Sequence, residues 1–317
     1  MTEMLQVIFD ILHIIFGCLW HYFIGLIRAL MPYCCFHKKS VEGKLVLITG
    51  AGGVFGRKLA VKFAERKSRL VLWDIDSKSN EQTAIECRKY CDDVFTYTVD
   101  LEDRNSIYST QKQMVTDAGN VDILVNNAGV VSGKSLLDLR DAQIMRTFNV
   151  NALAHFWTLK AFLPSMWNKN DGHVVFIAST AGVNGTAKLT DYCASKFAVV
   201  GLVESLLAEL QRFNRSGIKL TLVCPNLMNT GLFQGAQDMK GLPILDAEKV
   251  AETTMNAILT DQYILIMPRI VYLLMFLKSF GPLHGVLFMS KKLRVYNLMD
   301  HFSGRDNFVN GEINVQT

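Results

Sequence analysis

Seven short runs of apolar and β-branched residues recur along the chain, and most are separated by stretches with helical character. The run at 44–49 is followed at once by glycines and then by Phe55, Leu59 and Phe63 at helical spacing. Strands that are apolar on both faces are typical of a parallel sheet, because helices cover both of its sides. We therefore predict a doubly wound α/β domain. The predicted strands are 44–49, 69–74, 94–100, 121–127, 173–179, 218–224 and 263–267, and the longer predicted helical regions are 78–91, 138–168 and 192–213.

The N-terminal segment is strongly apolar, and residues 11–27 contain no Asp, Glu, Lys or Arg. As a helix this segment spans ~26 Å, slightly less than the ~30 Å of a bilayer core. Extending it back to Met4 reaches the required length but includes Asp10. We predict an uncleaved membrane anchor, either spanning or lying in one leaflet, with a buried core helix as the alternative. The His-Lys-Lys sequence at 37–39 then keeps the downstream chain in the cytosol.

A second apolar stretch runs over residues 263–289 but is interrupted by prolines, glycines and charged residues. These interruptions argue against a membrane span. Residues 271–280 suit an interfacial helix or a wall of a substrate site, and the alternative is ordinary core or a dimer face. We divide the chain into an N-terminal membrane anchor (1–36), a catalytic domain (37–267) and an apolar extension with a polar tail (268–317).

Charge and composition exclude several classes of function. The 33 Lys and Arg residues against 29 Asp and Glu give a net charge of +4, too weak a bias to indicate nucleic-acid binding. The seven cysteines show no disulfide framework and no C-x-x-C pair, which is typical of reduced thiols facing the cytosol. The seven histidines are scattered, so the sequence indicates no metal site.

The glycine-rich segment 49–56 follows the first predicted strand and opens the first helix. Gly50, Gly52 and Gly56 allow a tight turn whose backbone N–H groups bind a pyrophosphate at the helix N-terminus, as in Rossmann-type dinucleotide sites. Asp74 ends the next strand, where a carboxylate accepts hydrogen bonds from ribose hydroxyls and repels a 2′-phosphate. We therefore predict NAD as the cofactor; the alternative for Asp74 is a carboxylate that holds a turn or a helix cap.

Tyr192 and Lys196 lie four residues apart in a predicted helix, so their side chains share one face. A free tyrosine ionises near pH ~10, and a fixed cation, together with a positively charged nicotinamide ring, pulls that pKa towards neutrality. Ser179 ends the fifth predicted strand and can donate a hydrogen bond to a substrate oxygen in the same pocket. Asn151 lies early in the preceding helical region.

These motifs resemble those of the short-chain dehydrogenase/reductase superfamily over residues 44–267. The resemblance implies a catalytic tetrad in which Tyr192 accepts the hydroxyl proton and Ser179 binds the substrate oxygen. It further implies that Lys196 binds the nicotinamide ribose and lowers the tyrosine pKa, while Asn151 anchors a water that relays protons to Lys196. The remaining implied cofactor contacts are Asp100 at the adenine, Asn127 and Ala128 along the adenosine, and Thr230 at the carboxamide.

Segments 70–76, 191–198 and 275–280, with the N-terminal anchor, resemble the epidermal retinol dehydrogenase branch, a relative of the lipid-droplet 17-beta-hydroxysteroid dehydrogenases. This resemblance implies oxidation of all-trans-retinol to all-trans-retinaldehyde with NAD, and the alternative is a steroid or other lipid alcohol. It also implies a substrate lid over 232–245, a homodimer, and a place on the endoplasmic reticulum membrane or lipid droplets with the catalytic domain in the cytosol.

Two residues depart from the superfamily pattern. Val54 stands where the second glycine of the turn is expected, so its side chain lies where the backbone approaches the cofactor phosphates. Asn226 replaces the glycine after Pro225, a milder change because Asn tolerates left-handed backbone. A further alternative is therefore a non-catalytic, lipid-droplet-associated protein that has lost cofactor binding.

Overall fold

The computed structural model describes residues 2–31, 33–239, 242–304, 308–309 and 312–313. Within them, seven strands form one sheet in the order β3-β2-β1-β4-β5-β6-β7, and every neighbouring pair is parallel. All seven predicted strands are confirmed, with ends that differ by at most two residues. The strands are β1 (Leu45–Thr49), β2 (Arg69–Asp74), β3 (Val94–Thr98), β4 (Ile123–Asn126), β5 (Gly172–Ile177), β6 (Ile218–Pro225) and β7 (Ile264–Met267).

Helices cover both faces of this sheet, which confirms the doubly wound α/β fold. Alternate residues of β1 point to opposite faces, so Leu45 and Leu47 join one apolar core while Val46 and Ile48 join the other. One core includes α4 (Arg104–Asp117), α6 (Ala154–Lys169) and α7 (Thr190–Arg212). The other includes α2 (Val54–Ala64), α3 (Ser77–Cys87) and α8 (Ala247–Leu259).

The predicted helical region 138–168 is not one continuous α-helix. It consists of α5 (Asp141–Phe148), a π-helical turn (Asn149–Leu153) and then α6. A π-helical turn inserts an extra residue into a helix and is frequent at functional sites. Asn151 lies in the middle of this turn and is fully buried.

Residues Met1–Lys39 and Ser40–Thr317 form two separate compact units. In the first unit, α1 (Thr2–Leu30) is longer than the predicted charge-free segment 11–27. Its stretch Met4–Gly25 is long and apolar enough to cross a membrane, and none of it is buried. By length and composition, α1 is therefore a candidate membrane anchor.

After β7 the chain forms α9 (Ile270–Phe280), α10 (Leu283–Lys292) and a segment, 293–304, that returns to the loop after β6. The Gln237 N–H donates to the Leu298 carbonyl at 2.9 Å, and the Ser303 N–H donates to the Gln234 carbonyl at 2.9 Å. Within the second unit, this extension is therefore packed onto the loop that follows β6. A short hairpin, β8 (Phe308–Val309) and β9 (Glu312–Ile313), follows it.

Candidate active site

The glycine-rich turn between β1 and α2 is held by residues at the end of β4. Gly50 adopts φ +66°, and a Cβ there would lie 2.8 Å from the Ala128 Cα, so this position requires glycine. The Asn127 side-chain amide donates to the carbonyls of Thr49 (2.9 Å) and Gly50 (3.1 Å). The Thr49 hydroxyl in turn accepts the N–H groups of Asn127 (3.0 Å) and Ala128 (3.2 Å). Asn127 and Ala128 thus fix the turn and also line the pocket above it.

The other two predicted glycines are required by close packing rather than by backbone conformation. A Cβ at Gly52 would meet the Ser79 Cβ at 2.9 Å, and one at Gly56 would collide with the Gly50 carbonyl. Val54 is the first residue of α2, and its side chain lines the pocket and is 39% exposed. The departure predicted from the sequence therefore places two methyl groups at the mouth of the turn.

Four carboxylates line one end of the pocket, which we call the acidic end: Asp74, Asp76, Asp100 and Glu102. Asp74 accepts the N–H groups of Gly52 (2.8 Å) and Asp76 (2.9 Å), so it also holds the glycine turn. Burial raises the pKa of Asp74, and these backbone hydrogen bonds oppose that effect. Arg146 also lines the pocket and pairs with Glu102 at 3.1 Å.

Tyr192, Ser179 and Lys196 are brought together at the carboxyl end of β5. Ser179 follows β5 by two residues and begins a short helical turn, where its hydroxyl accepts the Ala181 N–H at 3.1 Å. Ser179 also hydrogen bonds to the Tyr192 phenol. The Lys196 ammonium lies 5.7 Å from the centre of the Tyr192 ring and donates to the Ile177 carbonyl at 2.9 Å. The three predicted side chains therefore form one buried cluster.

The pKa values of this cluster are set mainly by burial. Burial raises the pKa of the Tyr192 phenol above its usual range, and the hydrogen bond from Ser179 lowers it. Burial also lowers the pKa of Lys196 to about 8. Among the protein groups, burial outweighs the hydrogen bond from Ser179, so the side chains around Tyr192 do not by themselves bring its pKa towards neutrality. The lowering predicted from the sequence also depends on a positively charged nicotinamide ring beside the Lys196 ammonium.

The Asn151 side chain is fully engaged with the protein. Its carbonyl oxygen accepts the Val130 N–H at 2.8 Å, and its amide donates to the Val130 carbonyl (2.9 Å) and the Ser195 hydroxyl (3.1 Å). A Cβ at Gly129 would lie 3.4 Å from the Asn151 Oδ1 and 3.6 Å from the Lys196 Nζ, so all three positions meet. The side chain therefore ties the loop after β4 to α7 beside Lys196.

The other half of the pocket is an apolar chamber that the C-terminal extension helps to build. The whole pocket has a volume of about 540 Å³, and α9 contributes a wall to its apolar half. That residues 271–280 contact a substrate stays a prediction. Lys278 fastens this wall by donating to the Val183 carbonyl at 2.7 Å. The apolar lining includes Val271, Leu274, Met275, Val286, Met289, Leu293, Val295 and Leu298, with Leu232, Phe233, Met239 and Leu242 from the predicted lid.

The lining residues of the pocket agree only partly with those predicted from the sequence. Within the predicted lid, Lys240 and Gly241 lie outside the described residues. Val295 and Leu298 were not predicted to line the pocket, because the apolar residues of segment 293–304 follow neither strand nor helix periodicity. Thr230, predicted at the carboxamide, is buried and lines the pocket.

Comparison with known proteins gives concordant results. The sequence profile of the short chain dehydrogenases matches residues 44–241. Retinol dehydrogenase 10-A of Danio rerio is 45% identical over 283 residues, which cover 81% of this chain and 84% of that protein. Retinol dehydrogenase 10 of Homo sapiens is 42% identical over 318 residues, covering 91% and 92% of the two chains.

Solved structures show the same fold. A short chain dehydrogenase/reductase from Burkholderia phymatum in complex with NAD superposes with a TM-score of 0.68 at 26% identity, covering 84% of this chain and 99% of that one. A metagenomic short-chain oxidoreductase in complex with NADP gives a TM-score of 0.62 at 26% identity, covering 72% and 98%.

Proposed function

The chain belongs to the short-chain dehydrogenase family, and we propose that it oxidises all-trans-retinol to all-trans-retinaldehyde with NAD while anchored in a membrane. The match of the short chain dehydrogenase profile to residues 44–241 confirms the resemblance seen in the sequence motifs. One observation carries the proposal: a single pocket joins the acidic end and the glycine turn to the Tyr192 cluster and then to the apolar chamber. A polar cofactor and a lipophilic alcohol can therefore meet at Tyr192.

The residues present fit a nicotinamide dinucleotide. The turn at Gly50 leaves no room for a side chain, and Asn127 and Ala128 beside it line the pocket. We assign the pyrophosphate to this turn, the adenosine to Asp74, Asp100, Asn127 and Ala128, and the nicotinamide end to Tyr192, Lys196 and Thr230.

The acidic end favours NAD over NADP. Its four carboxylates would repel a 2′-phosphate. Among the described residues lining that end, the basic side chain is Arg146, and its ion pair with Glu102 offsets its charge. The solved relatives include one bound to NAD and one bound to NADP, so the preference of this chain is argued from its own carboxylates.

Tyr192, Lys196 and Thr230 would hold the nicotinamide end, and bound NAD would supply the hydride acceptor for the carbinol carbon and, before the transfer, a positive ring beside Tyr192. Ser179 holds the substrate hydroxyl, and the Tyr192 phenolate takes its proton. The Lys196 ammonium, fixed on the Ile177 carbonyl, stabilises that phenolate. Asn151 keeps the loop after β4 in place beside Lys196, so that protons can leave through the lysine.

The substrate class follows from the apolar chamber and from the relatives. The chamber is lined by aliphatic, methionine and aromatic side chains on one side of Tyr192, as a hydrocarbon chain with a single terminal hydroxyl requires. Relatives that match more than four fifths of this chain are named retinol dehydrogenases. Retinol has a terminal primary alcohol on an apolar polyene, which fits this arrangement.

Two features support membrane attachment. The unburied apolar helix α1 is long enough to span a bilayer. Independently, α9 and α10 present large apolar side chains outwards, including Phe280 (79% exposed) and Phe288 (63% exposed), while their other faces line the chamber. We propose that the protein lies on the endoplasmic reticulum membrane or lipid droplets with its catalytic unit in the cytosol. Retinol would then enter from the lipid phase.

We also propose a homodimer that uses the helices after β4 and β5. The exposed apolar side chains of Phe156 on α6 and Phe197 on α7 support this surface.

The decisive experiment uses membranes from cells that express the full chain or its Tyr192→Phe variant. All-trans-retinol is supplied with NAD or with NADP, and retinaldehyde is quantified. We expect product with NAD, less product with NADP, and loss of product in Tyr192→Phe. If steroid or fatty alcohols are oxidised but retinol is not, the proposed substrate is wrong and the proposed reaction stands. If no alcohol is oxidised and NADH does not bind, the proposed function is wrong.

A further inference from the structure

Next to the Tyr192 cluster lies a second buried group, which contains His155 and Phe176. His155 is fully buried on α6, four residues after Asn151, so both project from the same side of the helical segment. Its ring stacks on Phe176 with the ring centres 5.8 Å apart. Phe176 directly precedes Ile177, whose carbonyl accepts the Lys196 ammonium.

The imidazole of His155 is uncharged at every pH at which the enzyme can work. Burial lowers the pKa of His155 to about 3, and the nearby Lys196 ammonium acts in the same direction. A neutral imidazole carries one N–H donor and one lone-pair acceptor. His155 can therefore direct an acceptor towards a buried cation without neutralising it, which a carboxylate could not do.

Two buried polar atoms in this region lack hydrogen-bond partners among the described residues: the Nδ1 of His155 and the Nδ2 of Asn126. They are linked through Thr158, whose hydroxyl hydrogen bonds to the Asn126 side-chain carbonyl (2.9 Å) and the His155 backbone carbonyl (3.1 Å). Buried polar atoms in proteins are almost always hydrogen bonded, to ordered water where no protein group serves. Both atoms therefore indicate a site for ordered water.

We propose that His155 is a positioning residue for Lys196: its neutral imidazole and the Asn126 amide hold ordered water that solvates the buried ammonium. The proposal rests on the proposed function, because Lys196 has a catalytic task only if Tyr192 exchanges a proton. Among the described residues, the titratable groups that act on Lys196 are Tyr192 on its own helix, Cys224 on β6 and His155. Burial raises the pKa of the Cys224 thiol to about 12, so it remains neutral.

The expected consequence concerns the ionisation of Tyr192. If the water is lost, the ammonium is less well solvated, Lys196 gives up its proton more easily, and the phenolate loses its stabilising charge. His155→Leu removes the acceptor but keeps an apolar side chain to fill the space. His155→Asn retains an acceptor and a donor without a charge, so it should rescue the function.

The matched control is His173, a second buried histidine on β5. Its Nε2 hydrogen bonds to the Thr221 hydroxyl at 2.9 Å, and its Nδ1 lies 3.8 Å from the Asp261 carboxylate. His173→Gln should reduce thermal stability without altering Tyr192. It therefore separates a loss of packing from a loss of solvation at Lys196.

The full chain in detergent is titrated with base in the presence of NAD, and the ultraviolet absorbance of tyrosinate is recorded with Tyr192→Phe as the blank. We expect His155→Leu to raise the midpoint of Tyr192 by about one pH unit and to lower kcat about tenfold, with the KM and NADH affinity unchanged. His155→Asn and His173→Gln should stay within about twofold of the wild type.

The titration needs no alcohol, so it distinguishes this inference from the proposed function. A shifted midpoint in a protein that does not oxidise retinol would support the inference and refute the substrate. An unshifted midpoint in His155→Leu, equal defects in His155→Leu and His155→Asn, or a wild-type curve identical to that of Tyr192→Phe would overturn it.

Discussion

The ring of Phe233 meets the ring of Tyr192 edge-on, with the ring centres 5.5 Å apart and the planes at 87°. Phe233 also contacts Phe302 of the C-terminal segment, with centres 6.5 Å apart. The Tyr192 phenol is thus packed against the predicted lid, and the lid is packed against segment 293–304.

Phe233→Ala should therefore reduce kcat/KM for retinol about tenfold, or ~1.4 kcal/mol. The tyrosine ring loses its packing partner, and the chamber loses one wall. Phe233→Leu, which retains most of the apolar volume, should lose less than threefold. Steady-state kinetics on membranes measures both variants, and equal activity of Phe233→Ala and wild type would contradict this role.

Val54→Gly should increase NADH affinity about fivefold, because it removes two methyl groups from the mouth of the glycine turn. Val54→Ile is the matched control and should reduce affinity, since it adds a methylene at the same position. NADH fluorescence titration measures both. If Val54→Gly binds no better than the wild type, the turn has already adapted to the side chain.

Asp74→Asn should improve binding of NADP about tenfold relative to NAD. The amide keeps an acceptor for the Gly52 N–H, so the turn is retained while the negative charge is removed. Asp103→Asn is the control, because Asp103 caps α4 without lining the pocket. The ratio of the two cofactor dissociation constants is the measurement, and an unchanged ratio would rule out Asp74 as the discriminating charge.

Burying the Lys196 ammonium lowers the free energy of unfolding. Burial displaces its pKa from ~10.4 to about 8, so the folded state disfavours the charged form at pH 7 by on the order of 3 kcal/mol. The unfolded chain binds more protons between these two values, so stability rises with pH from about 8 to ~10.4. Lys196→Met should therefore be inactive but more heat-stable at pH 7, and its advantage should shrink by pH 10.

The control for this prediction is Lys160→Met, because Lys160 is an exposed lysine on α6. It should change neither activity nor the pH dependence of thermal unfolding. A melting temperature of Lys196→Met below that of the wild type at pH 7 would show that the Ile177 hydrogen bond outweighs the cost of burial.

The outward apolar face of α9 and α10 should matter only for substrates delivered from lipid. Phe280→Ser combined with Phe288→Ser should raise the KM for vesicle-borne retinol about fivefold and leave a short, water-soluble alcohol unaffected. Ile85→Ser is the control, since Ile85 is an exposed apolar residue on α3. Equal effects on both kinds of alcohol would indicate damage to the chamber rather than lost membrane contact.

Local patterns were sufficient to predict the sheet and the close approach of Ser179, Tyr192 and Lys196. Strand runs, the glycine turn and the i, i+4 spacing of Tyr192 and Lys196 are properties of neighbouring residues, and the structure reproduces them. The hydrogen bond between Lys196 and Ile177 was not predictable, because it joins two elements whose relative height depends on the whole fold. The same holds for the contact of segment 293–304 with the lid.

The π-helical turn at Asn149–Leu153 has a consequence for how this chain can vary. Such a turn is an α-helix with one residue too many. Deleting a single residue there would restore regular hydrogen bonding and rotate one flanking helix by about 100° relative to the other. Either Asn151 would lose its hydrogen bonds to Val130 and Ser195, or the buried face of α6 would lose its contacts with the core. The length of this stretch is therefore constrained separately from the identity of its residues, because a deletion would displace Asn151 or α6 even if every remaining side chain were kept.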